Sequence, residues 1–336
     1  MTKLLEVRIS DASLVGEARR GATRIAREAG LSATRAGEAA IIATELANNL
    51  HRYGGRDGTI VIQSLDTPRG GAMEILAIDT GPGMADVDRC LRDGFSTGGT
   101  PGTGLGAVKR MSGEFDVYSM PGQGTVVMSR VFAEGARAAG PPYALEWGSI
   151  ARPVKGEEIS GDTFRVVEQP NLAAIVMADG LGHGPGAADA AGAVADAFME
   201  DPFLPPERIV ARGHQRASGT RGAAVAVAQL NFATRVVQYC GVGNIAGSLQ
   251  TAHDSRSLFT HNGTVGVAAT KVREVQHPLP ANGLLIMHSD GLQSRWRLSK
   301  YPGLHARHPA IVAAVLARDF TRGRDDVTVL AIRIRA

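Results

Sequence analysis

The sequence predicts two domains of mixed α and β structure, the first alternating helices with strands and the second an α+β sandwich. Three observations lead there. A chain of 336 residues is comfortable as two domains of about 150 residues each. Its first third alternates Ala-rich stretches of helical spacing with short apolar runs that end in polar turns. Beyond residue 142, short apolar runs outnumber helical stretches, which suits a sandwich better than a Rossmann-type alternation.

Taken in order, residues 14–28 and 35–52 carry apolar residues at helical spacing, and 59–65 and 73–78 read as strands. Another helix starts near Leu105, and 117–132 reads as a hairpin turning at Pro121-Gly122-Gln123-Gly124. The run AEGARAAGPP then has linker composition. The expected division is therefore 1–133, a linker at 134–142, and 143–336. In the second domain the apolar runs 173–178, 223–230, 236–239, 284–287 and 327–334 read as strands, with helices at 187–199 and 309–320. No internal repeat is present.

Charge excludes one class of partner. Residues 1–136 hold 15 Lys/Arg against 16 Asp/Glu, and 137–336 hold 21 against 17. Neither half has the basic stripe with interleaved aromatics expected of a nucleic-acid binder. Cys90 and Cys240 have no CxxC partner, so a disulfide framework and a thiolate zinc site are not expected. The N-terminal residues lack the apolar run of a signal peptide, and no stretch approaches the roughly 18 apolar residues that span a bilayer. The expectation is a cytoplasmic chain that meets neither membrane nor nucleic acid.

Three segments of the first domain point to a nucleotide. Glu45 and Asn49 stand four apart on a predicted helix and share one face. Such a pair can hold a hydrated Mg²⁺ beside a phosphate chain, and the carboxylate can also accept a proton from an attacking hydroxyl or water. Asp79-Thr80-Gly81-Pro82-Gly83 follows a predicted strand, where a carboxylate can accept the exocyclic amine of a purine and glycines admit the flat base. Gly102-Thr103-Gly104-Leu105-Gly106 opens a predicted helix, whose free N–H groups suit phosphate.

Over residues 1–133 these segments resemble the GHKL superfamily of ATPases and kinases, an α/β sandwich fold. Within it they are most similar to small anti-sigma and stress-switch serine kinases, through 93–99, GTGLGAVKRM and Pro121–Thr125 as well. The resemblance implies ATP with Mg²⁺. It makes Glu45 the base, Asn49 the Mg²⁺ ligand and Asp79 the adenine reader. Gly81 and Gly83 would flank the base, Gly102, Gly104 and Gly106 the phosphates, and Thr125 would assist Asp79 through a water. No phospho-accepting histidine helix precedes the domain, which disfavours a histidine kinase.

In the second domain four acidic turns stand out: Ser160-Gly161-Asp162, Asp179-Gly180-Leu181-Gly182-His183-Gly184, Ser289-Asp290-Gly291 and Asp325-Asp326-Val327-Thr328. Three of them abut strongly apolar runs. Carboxylates at buried strand ends repel one another, and all-oxygen donors favour Mg²⁺ or Mn²⁺ over zinc. Two such ions can generate hydroxide near neutral pH and clamp a phosphoryl group during in-line attack.

Residues 143–336 resemble the metal-dependent type 2C phosphatases in their bacterial SpoIIE-like branch, through these turns and through Arg221-Gly222-Ala223-Ala224 and Tyr239-Cys240-Gly241-Val242-Gly243-Asn244. That resemblance implies an α/β–β/α sandwich holding two Mg²⁺ or Mn²⁺ ions. Asp179 would bridge both, the Gly180 carbonyl would ligate one, and Asp162, Asp290 and Asp325 would complete the set, with Asp326 ranked second to Asp325. Two departures stand out. Leu181 occupies the place of a general-acid histidine, while His183, two residues on, either orients a leaving group or caps the turn. A phosphate-binding arginine has no clear upstream counterpart, and Arg152 is not counted among the site residues.

Together the resemblances imply a bifunctional regulator that phosphorylates and dephosphorylates a STAS-domain antagonist in sigma-factor partner switching. A sigma factor or a stressosome-like complex would be a further partner, and a homodimer is expected by analogy. The competing reading is a nucleotide-gated docking module without phosphotransfer, joined to an active phosphatase.

Overall fold

The computed structural model describes residues 4–55, 57–67, 70–91, 104–135, 145–268 and 272–334. The chain divides into two compact units, Met1–Pro141 and Pro142–Ala336.

In the first unit the elements run β1 (Leu4–Arg8), α1 (Ser13–Glu28), α2 (Ala33–Tyr53), β2 (Thr59–Thr67), β3 (Gly70–Ile78), α3 (Val87–Cys90), α4 (Gly104–Met111), β4 (Glu114–Met120) and β5 (Gly124–Phe132). The strands form one antiparallel sheet in the order β1-β2-β3-β5-β4. Helix α2 begins where Ser32 Oγ accepts the Arg35 N–H at 3.3 Å, a typical N-cap. Its buried stripe, Ala36, Ala39, Ile42, Ala43, Leu46, Ala47 and Leu50, follows the helical period. The small residues in the stripe let the helix settle on Ile60, Ile62, Met73, Ile75 and Ala77 of the sheet. Glu45 and Asn49, half-buried beside this stripe, are thereby fixed in orientation.

The second unit runs β6 (Glu146–Arg152), β7 (Asp162–Gln169), β8 (Leu172–Gly180), α5 (Pro185–Glu200), α6 (Pro206–Arg216), β9 (Ala223–Asn231), β10 (Val236–Val242), β11 (Ala246–Gln250), β12 (Ser255–Leu258), β13 (Val275–Pro278), β14 (Gly283–His288), α7 (Pro309–Phe320) and β15 (Val327–Ile334). Two antiparallel sheets result, β13-β10-β9-β8-β7 and β12-β11-β14-β15-β6. Between them lies a core that includes Ile175, Met177, Tyr239, Met287 and Leu330. A second core, with Val176, Val194, Phe198, Ile209 and Val227, fills the space between the first sheet and α5 and α6. Strands β8 and β9 are buried on both faces, which explains why they read as unbroken apolar runs.

The expected α/β and α+β architecture is what the two units adopt. Elements that the sequence did not announce are the polar or short ones: β1, α3, β6, β7, α6 and β11 to β13. Strand β7 lies at a sheet edge and sets Phe164, Val166 and Val167 among polar residues; α6 buries little beyond Ile209 and Val210 among its apolar side chains. Most of the expected linker, from residue 136 onward, lies outside the described residues.

Candidate functional site: a nucleotide cradle and a carboxylate centre

In the first unit α4 begins beside α2. A Cβ added to Gly104 would stand 3.0 Å from Glu45 Oε2 and 3.9 Å from Asn49 Nδ2. The start of the second glycine segment therefore lies against the Glu45/Asn49 pair. Gly106 is buried in α4, and Gly102 and 93–99 lie outside the described residues.

Asp79 follows β3, and one oxygen of its carboxylate is held by two backbone donors. Oδ1 accepts N–H bonds from Gly81 at 2.8 Å and Thr125 at 3.1 Å, and the Asp79 N–H donates to the Thr125 carbonyl at 2.9 Å. Thr125 thus reaches Asp79 directly through its backbone, while its hydroxyl lies 2.9 Å from Ser119 Oγ. Ser119 also accepts the Met84 N–H at 2.7 Å, tying the glycine loop to β4. Gly83 needs its glycine: its φ is +68°, and a Cβ there would collide with the Met120 carbonyl.

In the second unit the strand register assembles the acidic turns. Asp162 begins β7 and pairs directly with Asp179 near the end of β8. Two like charges directly opposite on antiparallel strands destabilise each other. Asp162 is buried; its Oδ2 accepts a 2.7 Å bond from Ser289 Oγ, and its Oδ1 has no partner. Ser289 in turn accepts the Thr328 N–H at 2.9 Å, which links β14 and β15 to the centre. The Asp179 carboxylate accepts no hydrogen bond among the described residues. Asp290 receives the Asn244 amide at 2.6 Å.

Burial raises the carboxyl pKa values of Asp162, Asp179 and Asp290 above the ordinary range. The neighbouring Asp325 carboxylate pushes each further up, and Asp162 adds to the effect on Asp179. The adjacent pair at 325 and 326 divides. Asp326 is buried and both its oxygens hold backbone, accepting 2.6 Å bonds from the Val154 and Gly161 N–H groups. Asp325, half-exposed, uses Oδ1 to accept the Asp326 N–H at 2.9 Å and faces the cluster electrostatically. Gly180 is pressed on α5, where a Cβ would collide with the Ala187 carbonyl, so the strand end and the helix start are locked together.

The donor set fits divalent cations that prefer oxygen. An orphaned buried Asp162 oxygen, an unbonded Asp179 carboxylate and several raised pKa values mark a centre that lacks positive charge. Among the described residues no three His, Cys, Asp or Glu side chains converge on one point. Magnesium-type sites accept that arrangement, since each ion takes one or two carboxylates and completes its shell with carbonyls and water. His183 Nδ1 lies 2.7 Å from Glu157 Oε1, and Arg221 donates a 3.4 Å bond to the His183 carbonyl.

Several of these residues carried no sequence signal of their own. Asn244 and Ser289 stood inside quoted motifs without an assigned role, and Glu157 and Ser119 stood outside them. Only three-dimensional pairing identifies them.

The two arrangements define a kinase-like nucleotide unit followed by a metal-dependent phosphatase unit. Family models agree: residues 9–130 match the histidine kinase-like ATPase domain, and 169–335 match stage II sporulation protein E (SpoIIE). The serine/threonine-protein kinase RsbT of Bacillus subtilis (strain 168) is 35% identical over 112 residues, covering 33% of this chain and 84% of RsbT. The phosphoserine phosphatase RsbX of the same organism is 27% identical over 139 residues, 41% of this chain and 70% of RsbX. A chain from a structure of the bacterial stressosome, described as a modular system adapted to control secondary messenger signalling, covers 56% of this chain and 99% of itself, with TM-score 0.53 and 26% identity. The chain belongs to the RsbT-like kinase family through its N-terminal unit and carries a SpoIIE-type, metal-dependent serine/threonine phosphatase domain in its C-terminal unit.

Proposed function

We propose that this chain is a two-way switch on a protein phosphosite in bacterial partner switching. The N-terminal unit binds ATP with Mg²⁺ and phosphorylates a serine or threonine on a STAS-domain partner. The C-terminal unit, with two Mg²⁺ or Mn²⁺ ions, removes phosphate from that partner or a related one. The observation that carries the phosphatase half is the cross-strand Asp162–Asp179 pair with its orphaned buried oxygen, a charge arrangement that calls for cations.

In this reading Asp162, Asp179, Asp290, Asp325 and the Gly180 carbonyl hold the ions, which supply an activated water and clamp the phosphoryl oxygens. Ser289 and Asn244 keep two of the carboxylates oriented, and Asp326 holds the loop that carries Asp162. In the kinase half Asp79 accepts the adenine amine, Gly81 and Gly83 admit the base, and the α4 start with Gly104 and Gly106 receives phosphate. Asn49 holds Mg²⁺, and Glu45 accepts the proton of the attacking hydroxyl. Residue Gly102 would belong to the same phosphate loop. RsbT and RsbX, a kinase and a phosphoserine phosphatase, are each similar to part of this one chain, which supports opposing activities on a shared kind of substrate.

The deciding experiment incubates the full chain with a phosphorylated STAS-domain protein and Mn²⁺, and separately with the unmodified protein and Mg-ATP, following phosphate by mass spectrometry. Loss of phosphate in the first arm and gain in the second are expected. A protein inert in both arms, and inert toward p-nitrophenyl phosphate in Mn²⁺, would overturn the reading.

A further inference from the structure

We propose that Arg221 anchors the substrate's phosphoryl group in the C-terminal unit, a role that rests on the phosphatase reading above. The argument starts from register. Strands β8 and β9 pair Asp179 with Ala224 and Gly180 with Ala223. One step further the Leu181 N–H donates to the Gly222 carbonyl at 2.9 Å, which carries the antiparallel track past the strand ends. Arg221 therefore lies beside Gly182, on the turn that leads directly out of the Asp179–Gly180 pair.

Its guanidinium rests on glycine. A Cβ added to Gly186 would stand 2.9 Å from Arg221 Nε and 3.0 Å from Cζ, and one added to Gly182 would stand 3.3 Å from Nη1. The flat group thus covers the first turn of α5, a 16-residue helix that opens with Gly184 and Pro185. Arg221 is exposed and pairs with no carboxylate among the described residues; its one hydrogen bond is the long contact to the His183 carbonyl. Glu157, which reaches this turn from the segment between β6 and β7, is engaged by His183 instead.

Most of the five guanidinium N–H donors are consequently unspent. A guanidinium matches a phosphate dianion with two parallel charge-assisted bonds. The second observation is that Asp162, which has a buried oxygen without a hydrogen-bond partner, pairs across the strands with Asp179, which puts the cation-demanding centre at the base of the same turn. A phosphoryl group held at that centre would find in Arg221 a cation bordering the Asp179–Gly184 turn, in addition to Arg322, whose charge is felt at Asp290. This arginine lies downstream of the Asp179 turn in the chain.

The test compares full-length wild type with Arg221→Ala and Arg221→Lys, with inorganic phosphate as the probe. By titration calorimetry in Mn²⁺, phosphate affinity should fall about 10- to 100-fold in Arg221→Ala and recover in part in Arg221→Lys. The KM for p-nitrophenyl phosphate should rise alongside while kcat changes less, the signature of lost uniform binding. Mn²⁺ affinity and melting temperature should stay at wild-type values. Unchanged phosphate affinity in Arg221→Ala would overturn the proposal. So would a loss that comes together with lost Mn²⁺ binding or a lowered melting temperature, because Arg221 would then be a staple on the His183 carbonyl. A wild type that neither binds phosphate nor hydrolyses the ester in Mn²⁺ would overturn the phosphatase reading itself, and this proposal with it.

Discussion

Single carboxylates in this protein are distinguished by what they hold. Among the described residues the Asp179 carboxylate accepts no hydrogen bond, Asp162 keeps one buried oxygen without a partner, and Asp326 spends both oxygens on backbone. Replacing Asp179 or Asp290 with Asn should abolish Mn²⁺-dependent hydrolysis of p-nitrophenyl phosphate while circular dichroism stays native, since little volume changes. A folded variant with near wild-type turnover would remove these residues from the metal site. Asn244→Ala, which deletes the donor to Asp290, should lower activity or Mn²⁺ affinity about 10- to 100-fold, the usual effect of an outer-shell loss. In the first unit Asp79→Asn places an amide donor where the adenine amine needs an acceptor. ATP affinity should fall about tenfold or more by fluorescence titration; unchanged affinity would remove Asp79 from the adenine role. A Glu45→Gln variant that binds ATP normally yet transfers no phosphate would place Glu45 in the chemistry rather than in binding.

Elements divide by how loudly they speak in the sequence. Helix α2 and strands β3, β8, β9, β14 and β15 were legible because buried stripes or runs leave a strong periodic signature. Strand β7 was not, because its apolar residues are only partly buried at the sheet edge and Arg165 and Glu168 interrupt them. The acidic turns were legible as motifs, whereas their convergence was not. That the Asp162 and Asp179 turns meet follows from the β7–β8 pairing, and that Ser289 reaches Asp162 follows from the packing of two sheets. Asn244 and Ser289 look like ordinary turn residues for that reason. The first sheet holds an element-scale prediction of its own. Glu74 on β3 is fully buried and accepts bonds from Gln63 of β2 at 2.7 Å and Arg130 of β5 at 2.6 Å, with Glu114 of β4 also pairing with Arg130. Glu74→Gln leaves the buried Arg130 guanidinium with the longer Glu114 contact as its counter-charge and should cost about 2–4 kcal/mol in urea unfolding of the first unit. A loss under about 1 kcal/mol would show that the network is not a structural anchor.

At the scale of the whole chain, two compact units imply two separable responses. Mg-ATP should raise the melting transition of one unit and Mn²⁺ that of the other, in proportion to ligand concentration over Kd. Acidity should matter in a defined direction. With metal chelated, the raised native pKa values of Asp162, Asp179 and Asp290 mean that the folded state holds protons the unfolded chain has already released. Stability should therefore fall as pH climbs above about 4, where free aspartates ionise, and keep falling until the raised native values are passed. Added Mn²⁺ should reverse that slope, because ions bind the deprotonated carboxylates. Chelated protein whose melting temperature rises across the same range would contradict the assignment. The cross-strand pairing of Asp162 with Asp179 carries a last implication. A register that sets two acids face to face is one that folding alone would disfavour, so the unit trades robustness for chemistry. Neutralising Asp179 should then yield an inactive chain that outlasts its parent on heating in chelator, the mark of a protein in which selection has favoured turnover over durability.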